Sequence, residues 1–374
     1  MDALTNASVN IGQRVKYARE QLRLNQQDVS AALGFNDRQT LSDIENRKWG
    51  LKAGELLKLS DALDQDVEFF IDPFGVVGEA QYSWPASTNL PEDELDQFEA
   101  TASSWVGLLR WLRSQECSER SPLGFTLRLA VNSSVQAAQY AAEQLVCKHQ
   151  LGLVPALTLP QFIEKELDIP VLFVDAGPPF QQSSISGVAC HLPEMCVILL
   201  NCREGAARRN FYMAVELFHA LTWARMKSEN RKSSAIGSQR RNRQAETLAE
   251  NFAAALLMPR TSLDALMGDG RSTDVVKLFD VAKQLQVSAE ALGWRLHSLG
   301  RIDEATRVAL SQFHQADSAE ALPGLFSRSF VEQLHVALDK GRLSARKAAK
   351  TLGFSLHELT QLFEAYRMPT PFFF

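Results

Sequence analysis

The sequence runs to 374 residues, of which 45% are hydrophobic and 22% charged, with a formal net charge of −5 at pH 7. Such a length carries two or three domains with full cores, and the balance excludes a mostly disordered or fibrous chain. The negative charge excludes a uniformly basic nucleic-acid coat, so any contact with a polyanion must come from a local patch.

Residues 9–70 read as all-helical. Ile11, Val15, Ala18 and Leu22 keep an i, i+4, i+7, i+11 stripe while Arg14, Lys16, Arg19 and Arg23 take other faces. Asn25 then offers a helix cap with an acidic side chain, Asp28, three residues on; Val29, Ala32 and Leu33 face inward and Gly34 ends the helix. A new cap at Asn36 or Asp37 starts a third helix. Its inward face is Leu41 and Ile44, and Arg38, Gln39, Thr40, Ser42 and Asp43 face outward. Two short helices joined by a tight glycine-containing turn, the second with an outward polar face, form the helix-turn-helix arrangement that sets a helix in the major groove.

The pattern Leu24-x-Gln26-x-x-Val29-x-x-x-Leu33-Gly34-Phe35, followed by Asp37-Arg38-Gln39-Thr40-Leu41-Ser42-x-Ile44-Glu45-Asn46, resembles the XRE/Cro-like DNA-binding domains. The resemblance implies a five-helix domain over residues 1–72 that binds double-stranded operator DNA as a homodimer. It puts Gln26 on the phosphate backbone and Arg38, Gln39, Thr40 and Ser42 at base edges, with Arg47 and Lys48 joining the contact surface. Arginine reads guanine and glutamine reads adenine bidentately, which suits those positions. One extra residue between Gly34 and Ile44, relative to the commonest pattern, leaves the register of base contacts open by one. Charge agrees. From Arg14 to Lys52 eight basic residues meet five acidic ones, whereas from Glu55 to Asp72 six acids meet one lysine, so that end should turn away from DNA.

Residues 73–91 are rich in Gly, Pro, Ser and Asn and read as a linker, with Trp84 docking. A region over 92–302 follows. Leu95, Phe98, Ala102, Trp105, Val106, Leu109 and Leu112 mark one helix, Val135 to Leu145 a second, and Thr158 starts a short third that ends near Leu167. Extended stretches at Ile169 to Val174, Ile185 to His191 and Met195 to Asn201 predict a small sheet with a hairpin.

The chemistry concentrates in Arg208 to His219 and Glu246 to Pro259. In a helix-borne His-Glu-x-x-His site, imidazoles at i and i+4 share one face and one metal, and the intervening Glu is the general base. Positions 215 and 219 have that spacing, but position 215 is valine. Two arginines before the helix, and the segment Glu246-Thr247-Leu248-Ala249-Glu250-Asn251-Phe252-Ala253-Ala254-Ala255-Leu256-Leu257-Met258-Pro259 after it, resemble the ImmA/IrrE family of zinc-peptidase-like proteins. The resemblance implies that His219 is the second imidazole ligand, Glu246 the carboxylate ligand and Glu216 the base of any active site. Glu250 stands where the family usually has Asn.

Catalytic zinc uses three protein ligands and a water. With Val215 lacking a lone pair, His219 and Glu246 are expected to form a vestigial or weak metal site, and no cofactor is expected unless zinc is held by a replacement ligand such as His191, Cys190 or Cys196, or binds only with a ligand or substrate in place. The alternative is that Val215 packs under the helix while His219 and Glu246 pair with one another. In zincin-like peptidases an edge strand binds substrate by strand addition, so the sheet could dock a peptide without cutting it.

Arg225 to Arg243 holds seven basic residues and one acid, and reads as a mobile solvated loop. Beyond Pro259 the chain is helical again. Residues 282–288 and 349–355 echo the helix-turn of residues 30–36, and 303–374 reads as a C-terminal helical module whose apolar tail, Met368 to Phe374, docks on this chain or on a dimer partner. Five cysteines without a Cys-x-x-Cys pair read as reduced thiols, and a polar N-terminus without an apolar span predicts a cytoplasmic protein with no membrane contact.

The expected architecture is mainly α: a helix-turn-helix domain, an α+β zincin-like domain with a small sheet, and C-terminal helices. The expected function is a DNA-binding transcriptional regulator whose degenerate peptidase-like domain senses or docks a peptide, a protein or a small molecule in its groove. Two alternatives stand beside it, an active zinc metallopeptidase that cleaves a repressor and an antitoxin-like autoregulator that captures a partner.

Overall fold

The computed structural model describes residues 11–35, 37–46, 48, 50–84, 91–115, 125–176, 185–226, 236–268, 273–313 and 322–372. Five helices come first: α1 (Ile11–Gln21), α2 (Gln26–Leu33), α3 (Arg38–Glu45), α4 (Ala53–Leu63) and α5 (Val67–Ile71). A short strand β1 (Gln81–Tyr82) and the long α6 (Glu92–Ser114) precede α7 (Val135–Lys148), α8 (Pro155–Lys165), β2 (Val171–Val174), β3 (Gly187–His191) and β4 (Cys196–Asn201). Next come α9 (Ala206–Thr222), α10 (Ile236–Leu257), α11 (Arg260–Met267), α12 (Val275–Leu285), α13 (Ala289–Ser298) and α14 (Glu304–Gln312). The chain closes with α15 (Arg328–Asp339), α16 (Ala345–Leu352) and α17 (Leu356–Ala365). It is mainly α with one small sheet, as the sequence predicts.

The chain divides into two compact units. One holds the described residues within Met1–Gln81, Glu92–Arg120 and Arg328–Phe374; the other holds those within Tyr82–Pro91 and Ser121–Ser327. In the first unit, α2 opens on a reciprocal cap: Asn25 Oδ1 accepts from Asp28 N at 3.0 Å, and Asp28 Oδ2 accepts from Asn25 N at 2.9 Å. Gly34, at φ +79°, ends it in the left-handed region where glycine carries no Cβ penalty. Asp37 caps α3 by accepting from Gln39 N and Thr40 N; Asn36 lies outside the described residues.

Val15, Ala18, Val29, Leu33, Leu41, Leu59, Leu63 and Phe70 form the core beneath these helices. Gly12 lets α1 press on α3, since a Cβ there would stand 2.2 Å from Ile44 O. Two residues expected inward are exposed. Leu22 lies past the end of α1, and Ala32 is turned more than a quarter-turn from the Val29–Ser30–Leu33 face that α2 buries.

The stretch read as a linker is built into the first unit as far as Ala80. Arg14 is fully buried; it donates to Phe69 O at 2.9 Å and Asp72 O at 2.8 Å and also to Gly75 O. Phe74 and Val76 are buried as well. The helix α6 lies against this stretch, with Gly107 where any Cβ would collide with Phe74 O and Arg110 bonded to Gly75 O and Glu79. Trp105 Nε1 donates to Leu352 O, and Lys347 reaches Glu68 and Asp72, so α6 and the C-terminal helices complete the unit that starts with the helix-turn-helix. Phe372 docks on Phe363, with ring centroids 6.4 Å apart. Phe373 and Phe374 lie outside the described residues.

In the second unit the sheet order is β1-β3-β4-β2, with β3 and β4 antiparallel and β2 parallel to β4. α9 and α10 pack with the sheet, α7 and α8 into one core that includes Val171, Ile198, Leu200, Val215, Phe218, Phe252 and Leu256. Two boundaries differ from the sequence reading. α8 begins at Pro155, three residues before Thr158, because Pro at the first helical position loses nothing by its missing N–H; Thr158 spends its hydroxyl on Leu151 O instead. α10 begins at Ile236, so the latter part of the basic run is helix rather than loop, as its arginine and glutamine content favours. Residues 227–235 lie outside the described residues.

Replacing Arg14 with Met should strip the Phe69 and Asp72 carbonyls of its guanidinium, while Gly75 O keeps Arg110. The expected cost is about 3 kcal/mol or more, read as a lower urea midpoint for the full chain; an unchanged midpoint would show that the guanidinium is dispensable.

Candidate functional site

The candidate site is built by α9, α10 and the β3 side of the sheet, which pack on one another. Helical spacing sets Tyr212, Glu216 and His219 along one face of α9 at i, i+4 and i+7, and Glu246 comes from α10. His219 Nε2 and Glu246 Oε2 are 3.5 Å apart, each side chain about one-seventh exposed. Burial alone would lower the His219 pKa. The Glu246 hydrogen bond and the charges of Glu216 and Glu246 outweigh it and leave the imidazole above its ordinary value.

Val215 contributes no donor and is 1% exposed, packed within the unit's core. His191, the nearest alternative imidazole, is stacked flat on Trp223 at 3.9 Å and lies 3.6 Å from Cys196 Sγ. Burial and the His219 charge push its pKa down to about 3, so it stays neutral. Among the described residues no set of three His, Cys, Asp or Glu side chains converges as a metal ion would require. His219 and Glu246 therefore offer two donors where a catalytic zinc needs three, and these side chains do not fit the metal.

Glu216 is fully buried, and its carboxyl is directed at backbone and hydroxyl. Oε2 accepts from Ser83 Oγ and from Ala189 N, both at 2.8 Å. Ser83 itself donates its backbone N–H to Ala189 O at 2.9 Å, and its Oγ accepts from Ala189 N. Glu216 Oε1 is buried without a hydrogen-bond partner among the described residues. Burial, the largest influence, pushes the Glu216 carboxyl up to about 7. Gly187 sits close by. A Cβ there would lie 3.1 Å from Leu200 Cδ2, 3.3 Å from Glu216 Cγ and 3.4 Å from Tyr212 Cβ, so glycine lets the Glu216 stem and Tyr212 pack closely on β3. The sequence reading passed over Ser83, although Gln81-Tyr82-Ser83-Trp84 alternates polar and aromatic residues as a strand does.

In the helix-turn-helix, Arg38, Gln39 and Lys48 are exposed, with Thr40 and Ser42 half-buried; Arg47 lies outside the described residues. Gln39 Nε2 bonds Asp43 within α3, and Asn46 Nδ2 bonds Ser42 O. Gln26, expected on phosphate, has its amide on Glu45 Oε2 at 2.8 Å. Glu45 is buried and also holds Arg19 Nε at 2.7 Å, so one carboxylate from α3 ties together α1, α2 and α3. The acidic end of the five-helix set carries Glu68 and Asp72, which face Lys347. No described helix is long and apolar enough to cross a membrane.

The Glu216 carboxyl should write itself into the stability profile. Its folded pKa lies above its unfolded value, so its contribution is complete below about pH 4.5 and is lost as pH rises to about 7. The loss amounts to roughly 3 kcal/mol. Urea midpoints from pH 5 to 8 should therefore fall more steeply for the native chain than for Glu216→Gln, and parallel profiles would contradict the burial argument.

Comparison with known families matches two segments of the chain. Residues 15–70 match the helix-turn-helix family and residues 165–297 match the IrrE N-terminal-like domain. Among curated proteins none matches the chain. The chain joins an XRE-type, DNA-binding helix-turn-helix domain to a peptidase-like domain of the ImmA/IrrE type.

Proposed function

We propose that the protein is a transcription regulator that reads operator DNA as a homodimer and uses its peptidase-like domain to dock a partner peptide without cutting it. The observation that carries the second half is the donor set: Val215 is packed in the core, His219 and Glu246 face each other, and the Glu216 carboxyl is held by Ser83 and Ala189. With two donors among the described residues the pair does not fit a three-ligand zinc, and no hydrolytic step is assigned to Glu216. What the domain keeps is a sheet edge of the kind to which extended peptides add.

The first half rests on α3. Arg38, Gln39, Thr40 and Ser42 are carried on a helix whose inner face is fixed by Leu41, Ile44 and Glu45, so their positions are preset before DNA arrives. One such helix reads only a few base pairs, and paired half-sites multiply the specificity, which supports a dimer.

Selection of bound sequences from a random DNA pool should return a site with two related half-sites. Arg38→Ala should weaken binding to it by about 5- to 150-fold and relax one base position; enrichment of no sequence would end the operator reading. Elemental analysis of protein purified without metal resin should find far less than one zinc per chain, and display selection should recover extended peptides that bind intact. One zinc per chain with peptide cleavage abolished by Glu216→Gln would reverse the docking reading in favour of a peptidase.

A further inference from the structure

We infer that the outer edge of β3, beside Glu216, is the site for an extended peptide bearing serine or threonine, and that the chain's own Tyr82–Trp84 segment is its resident occupant. The inference rests on the docking reading above; it adds the class of ligand and says what holds the site in its absence.

Three observations carry it. First, the contact joins residues far apart in the chain, Ser83 to Glu216 across 133 positions, through a short strand at the edge of the sheet. A strand alternates its side chains, so Ser83 turns to Glu216 while Tyr82 and Trp84 share the opposite side, their rings 6.1 Å apart.

Second, the bonding pattern is that of a ligand held by its hydroxyl. The Ala189 N–H is taken by Ser83 Oγ and Glu216 Oε2. Ser83 Oγ lies within hydrogen-bond range of Glu216 Oε2, Ala189 N and Ala189 O together. A small side chain with a hydroxyl meets that set, and an aliphatic one would cost the buried Glu216 Oε2 one of its two hydrogen bonds.

Third, the seat is not saturated. Glu216 Oε1 is buried with no hydrogen-bond partner among the described residues, so a longer or better-matched peptide has a further group to engage.

An intrachain occupant competes at an effective concentration on the order of mM, so a peptide in trans binds weakly until the resident segment is displaced. The chain passes from Gln81 in the unit with the helix-turn-helix to Tyr82 in the other unit. A bound peptide therefore frees the segment that leads directly out of the DNA-binding unit.

The test uses the full chain and a fluorescein-labelled pentapeptide copying Ala80–Trp84, with a second peptide in which its serine is alanine. Ser83→Pro removes the hydroxyl and the backbone donor; Ser83→Ala removes the hydroxyl alone and serves if the proline variant does not fold. By anisotropy, the serine peptide should bind the unlatched chains at least about tenfold more tightly than the native chain, and the alanine peptide should bind them less well. In the native chain, excess serine peptide should speed hydrogen exchange at the Ser83 amide.

Equal affinity for native and unlatched chains, or exchange at Ser83 unaltered by bound peptide, would overturn the resident-segment idea. No binding to folded unlatched chains would overturn it too, and the display selection described above then decides separately whether any peptide docks on this domain.

Discussion

A carboxyl group placed in an apolar wall must find hydrogen bonds or a counter-charge, because the desolvation cost of leaving it bare exceeds what most single contacts return. Glu216 is such a group, and the peptidase-like unit is arranged around its needs. β3 supplies the Ala189 amide, the Tyr82–Trp84 segment supplies the Ser83 hydroxyl, and His219 lies within electrostatic reach. Gly187 withholds a side chain that would crowd the stem. On the same helix, Val215 belongs to the core and not to the groove. The arrangement seats the Glu216 carboxyl in hydrogen bonds to β3 and to Ser83.

The DNA-binding unit solves a parallel problem with opposite signs. Glu45 is buried, but it is met by Arg19 and Gln26, so a single carboxylate fixes three helices by charge-assisted bonds. Gly12 brings α1 onto α3 at backbone distance, and Arg14 draws the chain after α5 back across α1. The outward face of α3 is left with residues whose only ties are local, such as Gln39 to Asp43. Rigidity behind the helix and freedom in front of it suit a surface that must fit a groove.

Much of this was legible in the residues themselves. The caps at Asn25 and Asp37, the Leu41 and Ile44 stripe and the hairpin strands are local patterns whose physics acts over a few residues, and each sits where the pattern places it. The Val215, Glu216 and His219 spacing places these residues on α9 as it predicts, because helical periodicity is fixed. What escaped were meetings between distant segments. Gln26 looks free for phosphate until Glu45, nineteen residues on, takes its amide. Ser83 sits in a stretch rich in glycine and proline, and nothing local says that its hydroxyl will close on a helix 133 residues later. Likewise α6 has the apolar face of a core helix, but its sequence does not name the partners Phe74, Leu352 and Glu79.

The return of α15, α16 and α17 to the unit that begins with α1 has a consequence for the order in which the protein is made. A ribosome emits the helix-turn-helix before, and α15 to α17 after, every residue of the peptidase-like unit. The five N-terminal helices have a core of their own, but Trp105 waits for Leu352, and Glu68 and Asp72 wait for Lys347. The peptidase-like unit is thus complete while its companion is still open, and domains fold as they become complete. A chain cut before α15 would carry the peptidase-like unit whole beside a first unit that lacks the Leu352 and Lys347 contacts.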